Sequence, residues 1–146
     1  MWFVMRSLKL LIFSSLVALL SATSVIACSC MPTAGPEKEI EQADAVFAGK
    51  VISSKRQNGA RPFDDIEVEF VVDRVWKGQV TKRFRIFTAE SSASCGYRFK
   101  KNRTYLVYAY GKGNEGLQTG ICSRTRRLKD AHQDLIVLGA GRRPAP

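Results

Sequence analysis

The sequence has a single histidine, His132, and this scarcity limits the chemistry available to the chain. A zinc site built on two or three imidazoles cannot be assembled, and any histidine-dependent triad would have to use this one residue. The sequence also shows no phosphate-binding loop and no nucleophile motif. We therefore expect a protein that is not an enzyme and that holds no metal or cofactor of its own.

Acidic residues are also scarce: 13 Asp and Glu stand against 23 Lys and Arg, which gives a formal net charge of +10 over 146 residues. A basic chain attracts acidic partners, but charge alone does not distinguish nucleic acid, membrane and sulfated sugar. We interpret the basic clusters first as solvated faces, with an acidic polysaccharide as the alternative partner. The clusters are Lys82-Arg83-Arg85, Lys100-Lys101-Arg103 and Arg124-Arg126-Arg127-Lys129.

Long apolar runs are missing as well. The uncharged run 10–20 is short for a membrane span, which needs about 20 residues. Two basic residues precede it, and small residues follow it as far as Ala27. This order is typical of a secretory signal peptide. Residues 1–27 are therefore predicted to be removed, which leaves no transmembrane span in the mature chain and makes Cys28 its first residue.

Two processing routes fit the boundary before Cys28. Residues 25–27 (VIA) suit an ordinary signal peptidase, whereas residues 25–28 (VIAC) also resemble a bacterial lipobox, in which the cysteine sulfur carries diacylglycerol. The first route gives a secreted protein, extracellular or, in a Gram-negative bacterium, periplasmic. The second route gives a lipid-anchored protein.

Cysteine occurs only four times, and all four copies follow the predicted cleavage site: Cys28, Cys30, Cys95 and Cys122. An even count in an exported chain indicates two disulfides. Because Cys28 and Cys30 are too close for a normal mutual bridge, each is expected to reach one distant cysteine. A soft-metal site on the C-x-C segment is the weaker alternative, because export favours oxidation.

The remaining chain has the pattern of a mainly β protein. Strands are predicted over residues 45–53, 65–76, 82–88, 104–110 and 117–122. The second of them alternates apolar with acidic side chains, as a half-buried strand does. The fourth is apolar on both faces, as expected for a strand that is packed on both sides.

Helices are predicted before and after the strands. Residues 35–43 form a short helix with Pro36 in its first turn, where the missing N–H is harmless. Residues 127–138 carry a second helix, because an apolar stripe recurs there at helical spacing. His132 lies on or beside that stripe and is predicted to pack rather than to act in catalysis. The stripe consists of Leu128, Ala131, Leu135 and Leu138.

Five strands in about 80 residues, with short turns and a flanking helix, predict a small closed or partly open barrel. The five-stranded OB-fold has this size, and we expect it here with a short N-terminal and a C-terminal helix. Residues 28–139 are assigned to this single domain and residues 140–146 to a tail.

Three segments carry information beyond the fold class: residues 28–32 (CSCMP), residues 43–51 (ADAVFAGKV) and residues 91–96 (SSASCG). In this order, directly after a signal cleavage site, they resemble the tissue inhibitors of metalloproteinases. Residues 105–109, followed by a glycine-rich turn and Cys122, resemble that family's later strands.

The resemblance extends from Cys28 to about Arg124 and covers the family's inhibitory N-terminal, netrin-like module, which is an OB-fold barrel. It implies the disulfides Cys28–Cys95 and Cys30–Cys122.

The function implied by the resemblance is that of a secreted protein inhibitor of zinc metalloendopeptidases. The free α-amine and the carbonyl oxygen of Cys28 would chelate the target's catalytic zinc and displace its exchangeable water. Ser29 would point into the protease's primary specificity pocket, and Met31 with the loop after the third strand would complete a wedge. The implied protease-binding residues are Cys28, Ser29, Cys30, Met31, Ser92, Ala93 and Ser94.

A second function stays open on the same residues: a netrin-like extracellular or periplasmic binding module without inhibitory activity, lipid-anchored at Cys28 or polyanion-binding. A thioether at Cys28 would leave Cys95 without a disulfide partner, and acylation of the amine would remove the chelating nitrogen. Nucleic acid is not an expected partner, although OB-fold barrels often bind it, because export and disulfides argue against it.

Overall fold

The structure is a computed structural model that describes residues 28–31, 35–57, 65–111 and 116–146. The predicted signal peptide, residues 1–27, lies outside the described residues. The elements in chain order are α1 (Pro36–Gln42), β1 (Ala45–Arg56), β2 (Asp65–Lys77), β3 (Arg83–Ala89), β4 (Thr104–Ala109), β5 (Arg126–Arg127) and α2 (His132–Leu138). Two 3-10 turns, Ser92–Ser94 and Leu128–Asp130, lie between them. In this part of the chain no helix is long and apolar enough to cross a membrane.

All five strands belong to one antiparallel sheet with the order β3-β2-β1-β4-β5. The pairing of β1 with β2 contains three register shifts, one of them between Ala48 and Gly49. Such irregularities bend and twist a strand pair. Gly49 fits the bend because an added Cβ would lie only 3.1 Å from the Val71 carbonyl oxygen.

The sheet is not closed by hydrogen bonds between its edge strands, β3 and β5. The loop at residues 117–119 spans part of the gap. Phe87 of β3 accepts from the Thr119 N–H at 2.9 Å, and its own N–H donates to the Leu117 carbonyl at 2.8 Å. Gln118 exchanges two backbone hydrogen bonds with Tyr110, at 2.7 and 2.8 Å. The result is the partly open form of the predicted five-stranded barrel.

The two faces of the sheet bury different apolar clusters, and β4 contributes to both. Tyr105 and Val107 pack into the cluster that contains Phe47 and Phe70, whose rings meet edge to face with centroids 5.3 Å apart. On the opposite face Leu106 packs with residues of α1 and α2. The prediction that this strand is packed on both sides is confirmed, because residues 105–109 are all buried.

Two predicted elements are misplaced. Residues 117–122 are expected to form the fifth strand, but they make only isolated bridges. Their backbone pairs with three different partners, β3, Tyr110 and Gly96, and with none of them over several residues. The fifth strand is instead β5, where Arg126 and Arg127 pair with β4. Since Arg127 belongs to that strand, the predicted helix 127–138 cannot begin there, and α2 starts only at His132.

His132 does not pack into the core. It is the first residue of α2, and its side chain is exposed, so the prediction of a packing histidine is wrong. The predicted apolar stripe beside it is confirmed. Ala131 is fully buried, and Leu135 and Leu138 pack against the face of the sheet that the two helices cover.

The residues after α2 return to the sheet. Arg142 exchanges two backbone hydrogen bonds with Val75, both at 2.8 Å, and Ala145 bonds to the backbone of Val80 and Lys82. Residues 140–146, assigned from the sequence to a tail, thus run along the end of β2 and the segment that connects it to β3.

A buried ion pair attaches α2 to the sheet. Asp134, with 0% exposure, accepts hydrogen bonds from Arg124 Nε at 2.7 Å, Arg124 Nη2 at 2.9 Å and the Tyr108 hydroxyl at 3.0 Å. Burial acts to raise the pKa of Asp134, but the hydrogen bonds from Arg124 and Tyr108 outweigh it and hold the pKa below its usual range. The carboxylate therefore stays charged in the folded protein at neutral pH.

Asp134→Asn is expected to lower the free energy of unfolding by about 3–5 kcal/mol, because it leaves the buried Arg124 guanidinium without its counterion. Urea unfolding with the disulfides intact measures this loss. The control is Asp130→Asn, whose side chain is half exposed and pairs with Lys129 at the surface. Equal stabilities of the Asp134 and Asp130 variants would contradict a stabilising ion pair between Arg124 and Asp134.

The pKa of Asp134 is lower in the folded state than in the unfolded state. The wild-type protein should therefore lose the stabilisation by this ion pair as the pH falls below about 3.9, the pKa of an aspartate in the unfolded chain.

Candidate functional site

Two disulfides lie side by side at one end of the sheet. They join Cys28 to Cys95 and Cys30 to Cys122, the pairing that the family resemblance implies, with Cα–Cα distances of 5.3 and 5.1 Å. The Sγ atoms of Cys28 and Cys122 are 3.6 Å apart. All four cysteines are paired, so this sulfur cluster offers no thiolate to a soft metal.

Two glycines allow the loops that carry Cys95 and Cys122 to meet. Gly96 and Gly120 form an antiparallel bridge, and the Ile121 N–H donates to the Cys95 carbonyl at 2.9 Å. A Cβ on Gly96 would overlap the carbonyl oxygen of Ala89, and one on Gly120 would overlap that of Cys95. Sequence reasoning did not give Gly120 a role, because the close approach is visible only after the two loops are placed together.

The loop before Cys95 is a fixed turn. Its 3-10 turn, Ser92–Ser94, is capped reciprocally: Ser94 N–H donates to Ser91 Oγ and Ser91 N–H donates to Ser94 Oγ, both at 3.3 Å. Cys95 then takes a left-handed conformation with φ of 64°, and Gly96 N–H donates to the Ser91 carbonyl at 2.8 Å. Hydrogen bonds within residues 91–96 therefore fix the conformation of this loop.

We call the surface formed by residues 28–31, 92–95 and 121–122 the disulfide ridge. The seven residues that the resemblance marks as protease-binding all lie on it, since Cys95 ties the loop 92–94 to Cys28. Met31 is 86% exposed, and Ser29, Ala93 and Ile121 are exposed beside it. The ridge has no charged side chain. The ridge is therefore an exposed surface without charged side chains that two disulfides hold in place.

The N-terminal helix α1 stands next to the ridge and is held by polar contacts. The Tyr110 hydroxyl donates a short hydrogen bond to Glu39 of α1, and Lys77 Nζ donates to the carbonyls of Ile40 and Glu41 at 2.8 and 2.7 Å. Burial, followed by the bond to Glu39, raises the pKa of Tyr110. A cleft lined by Glu39, Tyr110, Ser94 and Cys122 separates the helix from the ridge.

The basic clusters do not all face solvent. Arg83 and Arg85 pair across the sheet with Glu69 and Glu67 at 3.5 and 3.7 Å, as expected of a solvated face. Arg124 is only 9% exposed and is bound to Asp134, so its assignment to a surface cluster is wrong.

Comparison with known proteins gives one family. The model of the family "Tissue inhibitor of metalloproteinase" matches residues 26–133. The chain is 31% identical over 125 residues to an "NTR domain-containing protein" of Margaritifera margaritifera, which covers 79% of this chain and 82% of that protein. It is 30% identical over 124 residues to "Metalloproteinase inhibitor 2" of Canis lupus familiaris and 29% identical to that of Rattus norvegicus. These two matches cover 80% of this chain and 56% of each inhibitor, so the chain spans about half the length of both. The chain belongs to the tissue inhibitor of metalloproteinase family, a family of inhibitors and not of enzymes.

Proposed function

We propose that this protein is a secreted inhibitor of zinc metalloendopeptidases that chelates the target's catalytic zinc through the α-amine and carbonyl oxygen of a mature N-terminal Cys28. The observation that carries the proposal is the position of Cys28. Its side chain is fixed by the bridge to Cys95, and it is the first residue of the disulfide ridge after the predicted cleavage site.

The chemistry of the backbone groups supports this role. A catalytic zinc has three protein ligands and one exchangeable water. An α-amine and the carbonyl oxygen of the same residue can replace that water as a five-membered chelate. An α-amine titrates near pH 7.7–8.0, against about 10.4 for a lysine, so on the order of a tenth of it is neutral at pH 7. Cys28 is thus a better nitrogen ligand through its backbone than the lysines of this chain are through their side chains.

The disulfides support the proposal on energetic grounds. Binding normally costs about 0.5–1.5 kcal/mol for each flexible side chain that becomes ordered. Here Cys28 and Cys30 are fixed by disulfides, and the loop Ser92–Ser94 is fixed by its capping bonds. In the proposed complex Ser29 enters the primary specificity pocket, and Met31 and the loop Ser92–Ser94 contact the two sides of the cleft.

Adding one alanine before Cys28 is expected to raise the inhibition constant at least about 100-fold, a loss of nearly 3 kcal/mol. The extension converts the chelating amine into an amide, which is a poor zinc ligand. Titration of the mature protein and the extended protein against a panel of zinc endopeptidases measures the effect, with both disulfides verified by mass. The matched control carries one extra alanine after Pro146. Inhibition that survives the N-terminal extension would refute the chelation mechanism.

Intact mass and N-terminal sequencing of the exported protein separate inhibition from the alternative of a lipid-anchored binding module. We expect a free Cys28 amine and a mass that accounts for two disulfides. A diacylglyceryl thioether on Cys28 would rule out the Cys28–Cys95 bridge, and an acylated amine would rule out chelation.

Ser29→Arg is expected to weaken inhibition at least about 10-fold for proteases whose primary pocket is apolar, because the pocket would bury an unpaired charge. Ser29→Thr should change it little. Gln79→Arg is the matched control, since Gln79 is also exposed but lies in the turn before β3, at the opposite end of that strand from the ridge loop. The same panel measures all three variants. Equal inhibition by the two arginine variants would show that Ser29 does not enter the pocket.

A further inference from the structure

The cleft between α1 and the disulfide ridge contains a carboxylate that has no ion-pair partner. Glu39 is only 9% exposed, yet no Lys or Arg forms an ion pair with it in the described part of the chain. Arg124 interacts electrostatically with Glu39 but is bound to Asp134. Buried carboxylates are normally paired with a cation, because burial of an uncompensated charge is costly. Glu39 therefore lacks a partner that its burial calls for.

The two carboxylate oxygens of Glu39 differ in their surroundings. Oε2 accepts the short hydrogen bond from the Tyr110 hydroxyl, whereas Oε1 accepts none from the residues that the structure describes. Among those residues, every fully buried side-chain nitrogen or oxygen has a hydrogen-bond partner. Oε1 is therefore not fully buried, and because Glu39 lines the cleft, this oxygen is accessible from the cleft.

The cleft has the size and the lining of a binding site for a polar cation. Its volume is about 620 Å³, within the range of about 300–1,000 Å³ that is typical of ligand-binding clefts. Glu39 is the only charged side chain among the described residues that line it. The side-chain amides of Gln42 and Gln118 also line it and make no hydrogen bond within the described ranges. Their carbonyl oxygens are thus available as further acceptors.

A guanidinium group matches this set of acceptors. It carries a positive charge and five N–H donors in a planar fork, so it offers donors both for Oε1 of Glu39 and for the amide oxygens. It is also more weakly hydrated than an ammonium group, which lowers the cost of moving it into a cleft. A divalent metal ion is a poorer match, because such ions prefer several carboxylate ligands and the described lining has one.

The position of the cleft indicates where such a group comes from. Ser94, Cys95 and Cys122 line the cleft and also belong to the disulfide ridge. A protease that receives the ridge therefore lies next to the cleft. A free cationic solute is repelled by the net positive charge of the chain, whereas a side chain of a bound protease is held beside the cleft by the contacts of the ridge.

We propose that the cleft binds an arginine side chain of the target protease, and that Glu39 thereby determines which zinc endopeptidases the protein inhibits most strongly. This inference rests on the proposed inhibitory function. It involves neither the zinc ion nor the α-amine of Cys28, so the two can be tested separately.

Glu39→Gln should weaken inhibition at least about 10-fold for the proteases that present the arginine, because the variant keeps an oxygen for the Tyr110 hydroxyl but loses the charge. Inhibition of the other proteases in the panel should stay within about twofold of wild type. The matched control is Glu41→Gln, which removes the same charge from an exposed position of the same helix. It should inhibit every protease of the panel within about twofold of wild type.

A double-mutant cycle identifies the arginine. In one protease of the affected group, each arginine at the rim of the active-site cleft is replaced by glutamine in turn. One of these replacements should weaken inhibition by the wild-type protein at least about 10-fold but change inhibition by the Glu39→Gln variant less than about twofold.

An arginine analogue tests the cleft without a protease and without a substitution that might affect folding. Nα-acetyl-arginine methylamide should shift the side-chain amide NMR resonances of Gln42 and Gln118 in a saturable way. Nα-acetyl-citrulline methylamide has the same shape without the charge, and it should leave these resonances in place.

Three results would overturn the proposal. These are equal inhibition of every protease by the Glu39 and Glu41 variants, an arginine scan without any coupling to Glu39, and equal shifts with the citrulline and arginine analogues. None of them affects zinc chelation if the wild-type protein still inhibits and the N-terminal alanine still abolishes inhibition. Binding of the arginine analogue by a wild-type protein that inhibits no protease would instead refute the inhibitory function, and with it the protease as the occupant of the cleft.

Discussion

The candidate functional site of this protein depends on the contact between two neighbouring disulfides. Each bridge alone would tie the N-terminal segment to one loop, but their sulfur atoms approach within 3.6 Å because Gly96 and Gly120 bring the two loops together. The segment from Cys28 to Cys30 is thus held at both ends. In the proposed mature protein, this arrangement would give a fixed position to the α-amine and carbonyl of Cys28, which are usually mobile at a chain terminus.

The rest of the fold keeps these loops in place. One apolar cluster fills the curl of the sheet, and a second lies beneath the two helices, so β4 is buried on both faces. The Arg124–Asp134 pair connects α2 to the chain just after Cys122. A pair buried this deeply adds little net stability compared with apolar packing, but loss of one partner leaves an uncompensated charge. The ion pair therefore disfavours any position of α2 that separates Asp134 from Arg124.

The sequence predicts much of this molecule because its main signals are local. Alternating side chains predict β2, and the family resemblance of residues 28–32 and 91–96 indicates the residues of the ridge. The misplaced parts depend on tertiary contacts. Two arginines in β5 carry no period-two pattern, and they form a strand only because β4 offers an open edge. Arg124 belongs to a basic cluster in the sequence, and its burial could not be inferred without Asp134 as its partner. Gly120 gained a role only when Cys95 was placed opposite it.

The claim that Cys28 supplies a nitrogen and an oxygen to another protein's zinc is tested most directly at the metal. A zinc endopeptidase substituted with cobalt reports its coordination through visible absorption. Adding one equivalent of the mature protein should change that spectrum, because a chelate replaces the bound water. Protein acetylated at the Cys28 amine should leave the spectrum unchanged. An inhibited, stoichiometric complex of the unmodified protein with an unaltered cobalt spectrum would contradict the account.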